Sequence, residues 1–195
     1  MTELLRAALA PPDAPAIDLT LRGGDLCVIA GEALSGKSRL LAVLAGIIAP
    51  DTGVVEHARP GACNLVPQHI ALVAGISVAD NIQLASIMNS TPGPPRDWYD
   101  EVIDRLDLRE FLERRPDQTS YGQQHRTMLA RSLCARPDVL LADEPFDHQD
   151  PEMADEIARL MSDYAAAGHA CVVALRRGTP SAWLAAGPVV IRLGR

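Results

Sequence analysis

The sequence predicts an α/β sandwich built on a mainly parallel central sheet, and three observations carry that prediction. An apolar run, Leu26-Cys-Val-Ile-Ala30, leads straight into a glycine-rich loop, Gly31-Glu-Ala-Leu-Ser-Gly-Lys-Ser38, and then into an apolar helical stretch at 40–45. Short, fully apolar runs recur at 139–142 and 171–175, as buried parallel strands do, and they alternate with stretches of helical spacing. The run at 139–142 ends in adjacent carboxylates, Asp143-Glu144, at the C-terminal edge of the sheet where the glycine-rich loop also lies.

The elements follow in chain order. Pro11, Pro12 and Pro15 hold the first segment extended or irregular. Residues 16–21 alternate weakly and Gly23-Gly24 makes a turn, which predicts a hairpin feeding the strand at 25–30. The helix after the loop ends near Ala49, where Pro50-Asp51-Thr52-Gly53 supplies turn chemistry. Residues 53–57 and 63–66 read as short strands. From 77 to 115 the spacing turns helical, broken by Thr91-Pro-Gly-Pro-Pro95, with Trp98, Val102, Ile103, Leu106 and Phe111 as the apolar stripe. A helix runs from about 121 to 135 and stops before Pro137. Another covers 153–167, and the last strand is expected at 189–193. The helical stretch at about 77–120 interrupts the strand-helix alternation, so it reads as an inserted α-helical subdomain within one domain spanning 1–195.

Composition bounds the function. At 195 residues and 48% hydrophobic, the chain can bury one substantial core. A net charge of −7 leaves no basic field for nucleic acid or an anionic membrane surface. No apolar stretch approaches the ~20 residues that span a bilayer, and the N-terminus lacks the basic start and apolar block of a secretory signal. These features predict a cytoplasmic protein without direct membrane insertion. Cys27, Cys63, Cys134 and Cys171 are far apart with no CxxC pair, and three of them sit in apolar runs, as buried free thiols do. His57, His69, His125, His148 and His169 are equally scattered, which points to surface or core side chains rather than a metal cage.

The loop at 31–38 matches the phosphate-binding pattern GxxxxGK[ST]. Gly31 and Gly36 let the backbone curl so that the N–H groups of Glu32, Ala33, Leu34 and Ser35 turn inward. Lys37 brings a mobile positive charge, the Ser38 hydroxyl can ligate Mg²⁺, and the helix beginning around Arg39 adds its dipole. A chance glycine-rich turn is the bland alternative, but the strand before and the helix after give the loop a nucleoside triphosphate to hold. The fold class is then a P-loop NTPase (RecA-like) three-layer sandwich with a short N-terminal antiparallel β-subdomain. Asp143 can hold Mg²⁺, and Glu144 can orient or deprotonate the water that attacks the γ-phosphate.

Two further segments narrow the class. Ser120-Tyr-Gly122-Gln123-Gln-His-Arg126-Thr-Met-Leu-Ala-Arg131, shortly before Asp143-Glu144-Pro145, resembles the signature motif of ABC-transporter ATPase subunits. Leu65-Val66-Pro67-Gln68 looks like the Q-loop of that family, Ser77-Val-Ala-Asp-Asn81-Ile82 like the segment after it, and Asp147-His-Gln-Asp150 stands in place of the D-loop. The resemblance implies that two such subunits, identical or different, close head to tail on two ATP molecules. Ser120, Gly122 and Gln123 would then serve the γ-phosphate bound by the opposite subunit. Gln68 would touch Mg²⁺ or the attacking water and sense transmembrane permease subunits, holding the protein on the inner face of the membrane. Glu144 would be the general base, with Ser38 and Asp143 on the metal.

The chain also departs from the family pattern. Arg176, followed by Arg177, stands where the family has its switch histidine, and His169 lies at the wrong end of that strand. Arginine relays no proton at neutral pH, but it can stabilise γ-phosphate charge as a fixed cation. Tyr121 replaces the first glycine of the usual SGGQ, and Asp147-His148 replaces the small Ser-Ala start of the D-loop. No aromatic residue precedes Trp98, so the N-terminal sheet has no ring for the base to stack on. Two readings stay open: an ATP-hydrolysing transporter subunit, and an ATP-binding but weakly hydrolysing half-site of an asymmetric dimer or of a complex that moves no solute. A small-molecule kinase or DNA-repair ATPase fits less well, because kinases lack a segment like 120–126 and repair relatives need insertions that 195 residues cannot hold.

Overall fold

The computed structural model describes residues 2–10, 16–88, 93–176, 180–184 and 189–193. The expectations at Pro11, Pro12, Pro15, Thr91, Pro92 and Arg177 fall outside these residues. Two sheets organise the chain. β1 (Glu3–Leu9), β2 (Ile17–Arg22) and β4 (Gly53–His57) form an antiparallel sheet in the order β2-β1-β4. β3 (Leu26–Ala30), β5 (Cys63–Val66), β6 (Val139–Asp143), β7 (Ala170–Leu175) and β8 (Val189–Arg192) form the central sheet in the order β5-β6-β7-β3-β8, and every pairing in it is parallel.

The burial of each strand follows from its position. β6 and β7 are buried at every residue because helices or the second sheet cover both faces, so their sequences are continuous apolar runs. β2 alternates buried and solvated residues, since only one of its faces meets the core. One core cluster joins one face of the central sheet to the helices that follow: α2 (Val78–Met88), α3 (Arg96–Arg105), α4 (Tyr121–Cys134), α5 (Pro151–Ala166) and α6 (Ser181–Leu184). The other cluster packs the opposite face against the antiparallel sheet and α1 (Lys37–Leu44). The stripe expected at Val102, Ile103 and Leu106 is fully buried in the first cluster.

Two expectations need correction, and one strand is additional to them. The segment at 16–22 forms no hairpin with the strand after it. β2 pairs with β1, and β3 belongs to the other sheet. The reason is that β3 already has β7 and β8 on its two edges. The turn between the sheets is tight: Gly24 has φ +100°, and a Cβ on Gly23 would sit 2.6 Å from the Gly168 carbonyl oxygen. The strand β1 was not anticipated. The helix after the loop stops at Leu44 rather than near Ala49, because Gly46 takes φ +72° and closes a Schellman-type end, with Ile47 N–H donating to Ala42 O at 3.0 Å.

The helical insertion is tied to the loop preceding it. Asn81 is fully buried; its Oδ1 accepts from Val73 N–H (2.8 Å), and its Nδ2 donates to Val73 O and Ser77 O (both 3.0 Å). Ser77 caps α2, its hydroxyl accepting from Asp80 N–H at 3.1 Å. These contacts fix the connection from Gln68 to the first helix of the insertion.

Candidate functional site

The glycine-rich loop joins β3 to α1 at the C-terminal edge of the central sheet. Gly36 sits at the N-cap with φ +89°, which only glycine adopts cheaply. Gly31 is required by space instead: a Cβ there would meet Ser35 Oγ at 2.5 Å and Leu193 O at 2.7 Å. Leu34 takes φ +64° with its side chain 99% exposed, a strained backbone for a residue with a Cβ. Lys37 is buried, and its Nζ donates to Gly31 O (2.7 Å) and Glu32 O (2.8 Å), which leaves one of its three N–H donors unused. Ser35 Oγ is buried without a hydrogen-bond partner.

β6 delivers the acids. Asp143 ends the strand, and Glu144 turns away from it with φ +51°, its N–H still donating to Ala174 O at 3.0 Å. Ala33, Leu34, Ser35, Gly36, Lys37, Ser38, Arg39, Gln68, Asp143, Glu144 and Arg176 together line one open cleft of about 400 Å³. Gly31 and Glu32 reach it through the carbonyls that hold Lys37. A smaller hollow of about 110 Å³, lined mostly by aliphatic residues such as Leu9, Ile17, Leu40 and Val43, shares Ser35, Gly36 and Arg39 with the cleft. Arg39 itself pairs with Asp51 at 2.6 Å.

Charges in the cleft are arranged around Glu144. Its carboxylate is buried, and burial above all pushes its pKa up, with Asp147 adding to the rise and Arg176 and Lys37 opposing it. Arg176 Nε lies 3.2 Å from Glu144 Oε1, an ion pair without hydrogen-bond alignment. The same guanidinium donates from Nη2 to Asp147 Oδ2 at 2.6 Å. Asp147 first, then Glu144, push the Arg176 pKa further up, so it stays a cation.

Ser120, Gly122 and Gln123 do not join this cleft within the chain. They form the N-terminus of α4. Ser120 Oγ accepts from Gln123 N–H (3.2 Å), and Gln123 Oε1 accepts from Ser120 N–H (2.8 Å), a complete capping box. Gly122 packs on the loop at 147–150: a Cβ would lie 2.7 Å from His148 O, and Gln149 Nε2 donates to Gly122 O at 3.1 Å. Tyr121 is 44% exposed and packs against His125 and His148, with ring centroids 4.9 and 4.6 Å apart.

Sequence reasoning missed Asp147 as the partner of Arg176, Asp51 as the partner of Arg39, and Asn81 as the anchor of the Gln68 loop. Opposite charges at 39 and 51 and at 147 and 176 were the available signal for the two pairs, and only the fold brings them together.

The cradle fits a phosphate chain. A Cβ at Gly31 would collide with Ser35 Oγ of the loop, Ser35 Oγ is an orphaned buried polar atom, and Lys37 keeps a spare donor. The donors proposed for a cation, on Ser38, Gln68 and Asp143, are all oxygens, as a hard ion such as Mg²⁺ prefers. Among the described residues no group of three or more His, Cys, Asp or Glu could hold a metal ion.

A strand–phosphate loop–helix unit on a parallel sheet, with two acids at the end of a neighbouring strand, defines a P-loop nucleotide-binding protein. The chain belongs to the ABC transporter family, whose model matches residues 15–147. It is 34% identical over 151 residues to the sulfate/thiosulfate import ATP-binding protein CysA of Synechococcus elongatus, covering 72% of this chain and 44% of that one. It is 32% identical over 161 residues to the ABC transporter ATP-binding protein YbbA of Escherichia coli K12, covering 74% and 71%. The chain thus spans less than half the length of that CysA relative. Among solved structures, an ABC transporter ATP-binding protein from Pyrococcus furiosus superposes with TM-score 0.80 at 16% identity, covering 98% of this chain and 96% of that one. A dimeric ATP-binding cassette in a post-hydrolysis state, bound to ADP and Pi, superposes at 0.73 and 21% identity, covering 91% and 88%. At these identities the likeness speaks for the fold.

Proposed function

We propose that residues 1–195 form one nucleotide-binding unit, with a helical subdomain at about 77–120, that hydrolyses ATP to drive a membrane transporter through ATP-dependent pairing. The observation that carries the proposal is the convergence of the loop at 33–39, Gln68, Asp143, Glu144 and Arg176 on one cleft. In this reading Lys37 and the loop N–H groups grip the β- and γ-phosphates. Mg²⁺, held by Ser38, Asp143 and Gln68, would neutralise phosphate charge. Glu144 accepts the proton of the attacking water, a role suited to a buried carboxylate whose pKa is raised. The aliphatic hollow beside the loop offers the base an unstacked seat, so we expect modest base selectivity. The capped N-terminus of α4, with Ser120, Gly122 and Gln123, would complete the pocket of a second ATP-binding subunit, identical or different. The half-buried Gln68 and the loop leading from it to the insertion would meet permease subunits, which would hold the chain at the inner face of the membrane. Among the described residues no helix is long and apolar enough to cross a membrane.

One observation favours a second reading, a slow or regulatory half-site: the base is paired with a fixed cation, Arg176, at 3.2 Å. Steady-state ATP turnover of the complex with its permease separates the two. Glu144→Gln is expected to lower kcat by about 10²-fold. Unchanged turnover would remove Glu144 from the chemistry.

A further inference from the structure

Two of the chain's departures from its family pattern meet in space. Asp147 stands where the D-loop has a small residue, Arg176 stands where the strand end has a histidine, and the two are joined at 2.6 Å. The guanidinium between them also reaches the buried base at 3.2 Å. A single cation therefore bridges two carboxylates, one on the partly solvated loop and one inside the cleft. We propose that Asp147 and Arg176 form a replacement switch, in which Asp147 holds the guanidinium on Glu144 and ATP turnover proceeds when Arg176 leaves for the γ-phosphate. The inference rests on Glu144 and Arg176 acting in hydrolysis as set out above, and it adds Asp147 as a positioning residue that touches no nucleotide.

Asp143, Glu144 and Asp147 face Lys37, Arg39 and Arg176. Lys37 is anchored on loop carbonyls 2.7 and 2.8 Å away and Arg39 is paired with Asp51 at 2.6 Å, so Arg176 is the cation poised between the acids. With 44% of its side chain exposed, it has room to swing. While it stays on Glu144, it lies 3.2 Å from Oε1, the atom to which the attacking water would have to donate. An added γ-phosphate competes for the same fork, and guanidinium suits phosphate and carboxylate geometry equally. The Asp147 contact sets the balance. Arginine, unlike histidine, carries out this exchange without gaining or losing a proton.

The test is an epistasis measurement on the full chain. Asp147→Asn keeps the size of the side chain and removes the charge that holds Arg176 back. Its kcat is expected to rise roughly two- to fivefold at unchanged KM, the scale of one partly exposed ion pair. In an Arg176→Ala background, where kcat falls, the same Asp147→Asn change is expected to do nothing further. A rise that persists without Arg176, or no rise in the native background, overturns the switch. A double-mutant cycle in urea unfolding reads the pair without nucleotide: a coupling of about two- to fivefold in the unfolding constant is expected, and zero coupling overturns the contact. Loss of turnover in Glu144→Gln with no effect of Asp147→Asn sinks the switch alone. Full turnover in Glu144→Gln sinks the reading beneath it.

Discussion

Replacing Asn81 by alanine measures how firmly the Gln68 loop is tied to the helical insertion. The side chain is fully buried and makes three hydrogen bonds, one accepted from Val73 N–H and one donated to each of Val73 O and Ser77 O. Each contributes about 1 kcal/mol net. Orphan penalties are small here, because Ser77 O keeps the bond from Asn81 N–H at 3.0 Å and Val73 lies where water reaches it, 45% exposed. The expected loss is therefore about 2–3 kcal/mol, or a fall in Tm of roughly 5–10 °C for a chain of this size. Urea unfolding followed by circular dichroism, with scanning calorimetry beside it, provides the reading. Asn81→Asp is expected to cost more than alanine, since it deletes both amide donors and buries a charge. A loss below about 1 kcal/mol, or an aspartate milder than alanine, refutes the idea that this side chain holds the loop.

Other outcomes follow from burial. Glu144→Gln is expected to stabilise the fold at pH 7. A carboxyl whose folded-state pKa lies above its ordinary 4.5 favours the native state when protonated, and that contribution is lost as pH rises through the folded value. The gain of the glutamine variant should vanish below about pH 4, where both chains carry a neutral side chain; equal urea midpoints for the two chains at pH 7 would contradict it. The thiols of Cys27, Cys63 and Cys134 are pushed up to about 12 by burial, and that of Cys171 is raised further by the same cause. Iodoacetamide at pH 8 should therefore leave the native chain unlabelled and modify all four after denaturation, as read by intact mass; rapid native labelling would argue for an open core.

The parallel strands were legible because burial on both faces writes itself as an unbroken apolar run, as in Val139-Leu-Leu-Ala142 and Cys171-Val-Val-Ala-Leu175. The loop at 31–38 was legible because its geometry demands glycine at set places, and Gly31 and Gly36 stand at two of them. β1 was missed: its pairing with β2 and β4 crosses the proline-bearing segment and about fifty residues of chain, and no local pattern records a partner so distant. The hairpin error has a related cause. Adjacent strands with a Gly-Gly turn look alike whether they pair or part, and only the occupied edges of β3 decide the matter. Within the site, each departure at 121, 147, 148 and 176 was visible as a single residue. That they meet in pairs, Tyr121 on His148 and Asp147 on Arg176, is a property of tertiary contact.

Calorimetric titration of the chain with ATP, with and without Mg²⁺, tests the central claim most directly when the same titration is run on Lys37→Ala. The account predicts saturable binding by the native chain that Mg²⁺ strengthens, and at least roughly tenfold weaker binding once the buried lysine is gone. Equal affinity in the two chains, or no heat from the native one, would place the nucleotide somewhere other than the cleft of Lys37, Asp143 and Glu144.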